Sequence, residues 1–133
     1  MQLANYARSY KAAAIGTATP GQLVLMLFDG ALRFLSTALH GFEVENIGQR
    51  FEQVNNNLIK TQRIVRELQS SLDLKAGGEF SATMHALYDF MLEELVKANL
   101  KKDPVPVRNV ERLIAELRDA WSQMLQQAVP QAA

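Results

Sequence analysis

From Leu23 to Phe28 the chain runs Leu-Val-Leu-Met-Leu-Phe, six adjacent apolar side chains. Residues of a helix step round its axis by about 100°, so such a run cannot share one stripe. More than one face of this segment must be buried. Two arrangements satisfy that demand: a central place inside the protein's own bundle, or a partner that covers the surplus face. Thr19-Pro20, just upstream, marks a helix start. The Thr hydroxyl accepts a bond from an unpaired early backbone N–H, and proline in the first turn gives up only a donor that had no partner.

The spacing predicts a first helix from Pro20 to about Gly41. Leu23, Leu27, Ala31, Phe34, Ala38 and Phe42 form one row, and Val24, Phe28, Leu35 and Leu39 an adjoining one. Gly41 is a plausible stop, and Asn46 with Gln49 resembles a capping box. Ile47, Phe51, Val54, Leu58, Thr61, Val65, Leu68 and Leu72 then alternate in coiled-coil-like steps, a seam expected to pack along a neighbour over its whole length. Asn55, Asn56 and Asn57 are poor helix formers that must face water or bond something specific. A solvated face is the ordinary reading, and contact with a bound peptide backbone is the alternative.

Gly77-Gly78 supplies the left-handed conformation of a tight exit. A third helix, about Glu79 to Lys102, carries Phe80, Met84, Leu87, Met91, Leu95 and Ala98 on one face, with Tyr88, Leu92 and Val96 beside them. Asp103-Pro104 repeats the cap-plus-proline start. Val107, Val110, Leu113 or Ile114, Leu117, Trp121, Met124 and Ala128 form the fourth stripe. No stretch alternates as a strand would, so the expected fold is all-α, an antiparallel four-helix bundle. The expected divisions are an N-terminal arm over 1–16, one helical domain over 17–128 and a loose tail over 129–133. The arm, with Tyr6, Tyr10 and Ile15, reads either as a frayed terminus or as a flap laid on apolar surface until something displaces it.

Charge and composition narrow the function. A chain of 133 residues with 48% hydrophobic content suits one compact domain with a core. Lys plus Arg and Asp plus Glu both number 14, and no basic tract offers a footprint for phosphate backbones or anionic membranes. The chain has no cysteine, which excludes a disulfide framework, a thiol nucleophile and a thiolate metal site. Its first residues lack the order of a secretory signal, and no apolar run approaches the roughly 20 residues that span a bilayer. A soluble, unprocessed protein is expected.

Signs of catalysis fail one by one. Gly16-Thr-Ala-Thr-Pro-Gly21 has the glycine spacing of a P-loop, but Gln22 and Leu23 stand where Lys and Ser or Thr would hold phosphate and magnesium. A carboxylate-bridged metal pair needs Glu-x-x-His, and Thr37 precedes His40 and Ala82 precedes His85 at that spacing. His40, near a helix end, suits the negative pole of the dipole, and His85 suits a boundary position. Glu93 and Glu94 point to different sides of one helix, as a solvated pair rather than an acid and a base. No cofactor, metal or enzymatic activity is expected. Met1, Met26, Met84, Met91 and Met124 serve as gap fillers, although thioethers also suit a surface that accepts an irregular apolar ligand.

TATPGQLVLMLFDGALRFL resembles the signature of the bacterial flagellin export chaperones, the FliS family: a Thr-or-Ser-Ala-x-Pro start, a Gln-Leu pair and a Met-Leu-aromatic-Asp-Gly run. The similarity continues in order through KTQRIVRELQSSLDL from Lys60 to Leu74, the Gly77-Gly78-Glu79 turn, Leu87 to Met91, Ala98-Asn99-Leu100 and Ala120-Trp121. The resemblance implies a non-enzymatic cytoplasmic bundle that binds the disordered C-terminal segment of newly made flagellin. In that family the segment wraps the chaperone and folds partly into helices in its apolar grooves, which blocks premature polymerisation and assists delivery to the type III export apparatus. Export components or regulators are further candidate partners. The family's N-terminal arm can lie over part of the binding surface, and Tyr6 corresponds to its recurrent tyrosine. Phe28 stands where many members have tyrosine, Thr61 where alanine is common, and Asn55 to Asn57 is unusually polar.

Joined to the surplus apolar rows, the resemblance points to grooves on the Leu23 to Leu39 and Leu87 to Val96 helices. Leu23, Met26, Leu27 and Phe28 are the candidate lining, with Tyr6, Tyr10 and Ile15 as displaceable cover. The competing expectation is a homodimeric structural bundle with no flagellin client, its surplus rows meeting across the symmetry axis.

Overall fold

The structure is a computed structural model that describes residues 18–128. The described residues form four helices and no strand: α1 (Pro20–Gly41), α2 (Ile47–Ser70), α3 (Gly78–Lys101) and α4 (Pro104–Ala128). Their ends follow local chemistry. Thr19 and Gln22 cap α1 reciprocally, each side chain accepting from the other's backbone N–H at 3.1 and 2.8 Å, a complete capping box. Asn46 caps α2 through the Gln49 amide at 2.9 Å. The Asp103 carboxylate accepts from Val105 N at 3.0 Å ahead of α4, and His40 lies in the last turn of α1.

Each helix packs on its neighbours in the order α1, α2, α3, α4 and back to α1, which closes a ring around one core. Polar contacts fix the antiparallel registers. Gln53 donates to the Thr37 carbonyl across α1 and α2, Asn99 to Asn55 across α2 and α3, and Arg118 to Asp29 across α1 and α4. Leu35, Leu58, Ile64, Leu68, Met91, Leu95 and Ile114 fill the centre, each such burial contributing about 2 kcal/mol. The choice left open in α4 falls to Ile114, which is fully buried while Leu113 is half-buried.

Several expectations need amendment. The α2 seam is buried from Val54 to Leu68, but Ile47 and Phe51 are exposed. A Cβ on Gly41 would meet Gln53 and Val54 at 3.0 to 3.2 Å, so α1 ends opposite Val54 and offers no surface to the first turn of α2. α1 ends at Gly41, as the sequence suggests, and the missing side chain there also permits the close approach of α2. The three asparagines have three fates: Asn55 ties to Asn99, Asn56 faces solvent, and buried Asn57 donates to the Gln53 carbonyl at 2.8 Å. Thr61 continues that pattern, its hydroxyl donating to the Asn57 carbonyl. α1 is also long and apolar enough to cross a membrane by length and composition, which the reading of short apolar runs did not anticipate. Its place in the ring accounts for that composition, since Phe28, Ala31, Leu35 and Ala38 belong to the core. Tyr6, Tyr10 and Ile15 lie outside the described residues.

Candidate functional site

At one end of the bundle the four helices leave an apolar cleft of about 710 Å³. Pro20, Val24 and Phe28 of α1, Leu68 of α2, Phe80, Met84 and Tyr88 of α3, and Leu117, Trp121 and Met124 of α4 line it. Ser71, Leu72 and Asp73, in the connection that leaves α2, complete its rim. This volume lies within the range of pockets that bury whole apolar side-chain clusters.

Two clamped helix pairs hold the walls. Across α1 and α4 the Trp121 indole N–H donates to the Gly21 carbonyl at 2.8 Å, and Arg118 Nε meets Asp29 Oδ1 at 2.9 Å. Gly21 permits this approach, since a Cβ there would lie 2.5 Å from Leu125 Cδ2. The Asp29 carboxylate raises the Arg118 guanidinium above its ordinary range, first through the hydrogen bond and then through charge. Phe28 meets Trp121 edge to face, with ring centroids 6.4 Å apart, so the two aromatics form one rigid wall. Across α2 and α3, Gln69 Nε2 donates to both the His85 carbonyl and the Asp89 carboxylate, at 3.1 and 2.7 Å. His85 Nδ1 lies 3.5 Å from the same carboxylate.

The floor is dry. Phe28 and Tyr88 are only 2% and 3% exposed, and burial pushes the Tyr88 phenol up to about 12. Phe80 stands at the mouth, 66% exposed. Methionine enters twice, with Met84 on the wall and Met124 at the mouth, which gives the cleft side chains that conform to irregular apolar shapes.

The structure distributes the candidate residues unevenly. Phe28 lies in the cleft, Leu27 packs against the core, and Leu23 and Met26 are half-buried on α1 outside the cleft lining. On α3 the cleft takes the N-terminal Phe80, Met84 and Tyr88, whereas Leu87 and Leu92 pack on the core and Val96 is exposed. Sequence spacing puts Leu68 and Trp121 in the packing stripes of their helices and Tyr88 in the surplus row of α3. For Leu68 and Trp121 the available signal is positional: each lies toward the C-terminal end of its helix, at the bundle end where the arm joins α1.

The arrangement suits binding rather than reaction. Among the described residues no group of three His, Asp or Glu side chains could hold a metal ion. Among residues that line the cleft, Asp73 alone is charged at neutral pH.

Comparison with known proteins gives the same direction. A family model described as "Flagellar protein FliS" matches residues 2–128. The chain is 40% identical over 126 residues to the flagellar secretion chaperone FliS of Bacillus subtilis, covering 95% of this chain and 90% of that one. It is 35% identical over 121 residues to the FliS of Escherichia coli and 33% over 119 residues to that of Salmonella typhimurium, covering 90% of this chain and 86% of the relative in both cases. With a match that runs through all four helices, the chain belongs to the FliS family of flagellar secretion chaperones, which are not enzymes.

Proposed function

We propose that this protein is a cytoplasmic chaperone for flagellin: it binds the disordered C-terminal segment, keeps it from polymerising and assists its type III export. The observation that carries the reading is the apolar cleft, built by all four helices and left open at one end of the bundle. A water-exposed cleft of this composition is costly unless a partner fills it. An amphipathic segment that becomes helical on docking meets that demand. Ordering a disordered client costs free energy, so the contact extends beyond the cleft to roughly 1,000 to 3,000 Å². Leu23, Met26 and Leu27, beside Phe28 on α1, are the assigned continuation of that path. Tyr6, Tyr10 and Ile15 of the arm are the assigned cover that the client displaces, since the arm joins α1 at Pro20, itself on the cleft.

Trp121 makes the test direct, because it is the sole tryptophan and lines the cleft. Titration with a peptide of the flagellin C-terminal segment is expected to shift Trp121 emission and to give a saturable heat in calorimetry. A flat titration by both methods at high protein concentration would falsify the reading.

A further inference from the structure

The lining of the cleft is apolar except at one corner. There Asp73 sits just past the end of α2, exposed and alone in its charge among the lining residues. Its Oδ1 atom accepts from the Lys75 and Ala76 amides at 3.1 and 2.9 Å, and Gly77 N donates to the Asp73 carbonyl at 2.8 Å. These bonds hold the carboxylate at the rim rather than letting it sweep through solvent. Among the described residues no Lys or Arg pairs with it, and the last turn of α2 carries no basic residue. The corner is therefore a fixed negative charge at the edge of an apolar slot. An apolar slot by itself lets a greasy helix slide by a turn, because one Leu replaces another at little cost. A single fixed charge removes that degeneracy.

We propose that Asp73 sets the register of the client, by pairing with a Lys or Arg that the docked amphipathic segment places at the α2 end of the cleft. The proposal rests on the flagellin reading and adds to it the charge the client must carry and where. An acidic residue at that position of the client opposes docking, so charge placement along the segment selects among apolar helices of equal hydrophobicity.

The experiment uses the full chain, a peptide of the flagellin C-terminal segment, and the same peptide with its Lys and Arg residues replaced by Gln. D73N keeps the Oδ1 acceptor of the loop and removes the charge. Glu93→Gln serves as the control, since Glu93 is exposed on α3, lies outside the cleft lining and takes no part in the clamps. Trp121 emission reads binding, and circular dichroism verifies the fold of each variant. D73N is expected to weaken the basic peptide about three- to fivefold, the scale of an exposed ion pair. It should leave the neutralised peptide unchanged, and E93Q should change neither. The wild-type advantage for the basic peptide is also expected to shrink as salt rises from 0.05 to about 0.5 M. Equal affinities of wild type and D73N for the basic peptide at low salt would overturn the proposal while the flagellin reading stands. Tighter binding by D73N would overturn it too. Absence of binding to either peptide by the wild type would remove both readings together.

Discussion

Burial of the Tyr88 phenol, pushed up to about 12, links the cleft floor to the alkaline limb of stability. An unfolded tyrosine titrates near 10. Between about pH 10 and 12 the unfolded chain has released this proton while the folded chain still holds it, so stability falls as pH rises through that window and levels off above it. Tyr88→Phe is expected to remove this component: urea midpoints of the two proteins, measured from pH 8 to 11.5, should converge or cross above pH 10. Parallel curves would show that Tyr88 ionises alike in both states. Gly77 is a second point of sensitivity. A Cβ there would lie 1.7 Å from Ser81 Oγ and 2.7 Å from the Asp73 carbonyl, so the backbone itself must move. Gly77→Ala is expected to cost about 1 to 3 kcal/mol in denaturant unfolding. Gly78 differs, because its φ of 55° is the constraint and the space around its Cβ is open. Sequence reads the glycine pair as the exit of α2, whereas α2 ends at Ser70 and the pair opens α3, with Gly77 at its N-cap and Gly78 in its first position. Nor did sequence show that Gly77 is required by a serine four residues ahead, because a missing side chain does not name the neighbour that fills its space.

At the scale of helices, starts were legible and neighbours were not. Thr19-Pro20 and Asn46 mark helix starts with groups that act within three residues, and the structure forms both caps. The α2 seam was over-read at Ile47 and Phe51 because periodicity reports which side of a helix is apolar, not how far its partner extends. α1 ends opposite Val54, and Phe51 instead carries the Lys102 ammonium 5.4 Å above its ring. Burial of that ammonium also lowers its pKa. The caps sit at opposite ends of the bundle, which allows a controlled comparison. Thr19→Ala and Asn46→Ala are each expected to lower stability by about 1 kcal/mol in thermal or urea unfolding. Only Thr19→Ala loosens the turn that presents Pro20 and Val24 to the cleft. It is therefore expected to weaken binding of the flagellin peptide, while Asn46→Ala leaves the affinity near that of wild type. Equal losses of affinity would mean that binding follows global stability and not the order of the first α1 turn.

For the molecule as a whole, the surplus of apolar surface was visible in the sequence but its location was not. Six adjacent apolar residues demand burial on more than one face, yet a single chain cannot say whether the extra face meets a fourth helix, a twin or a client. The structure shows that α1 spends much of it internally, on a ring closed by α4, and that a further part lines the open cleft that all four helices share at one end. That position separates folding from binding, because mouth residues contribute little to the core. Phe80 is 66% exposed, and Leu100, on the same helix but at the other end of the bundle, is 81% exposed. Serine at either position is expected to change unfolding free energy by less than about 1 kcal/mol. Their effects on a client should diverge: Phe80→Ser removes an aromatic wall from the cleft and is expected to weaken the flagellin peptide about tenfold, as for a well-packed interface aromatic. Leu100→Ser is expected to cost much less. Sedimentation of each variant with the peptide reports the complex directly, with one client per chaperone chain at wild-type affinity. A homodimer formed by the surplus rows would persist on dilution without peptide, and Leu100→Ser would then disturb assembly more than Phe80→Ser does. The order of these two effects decides whether the unspent surface belongs to a client or to a second copy of the chain.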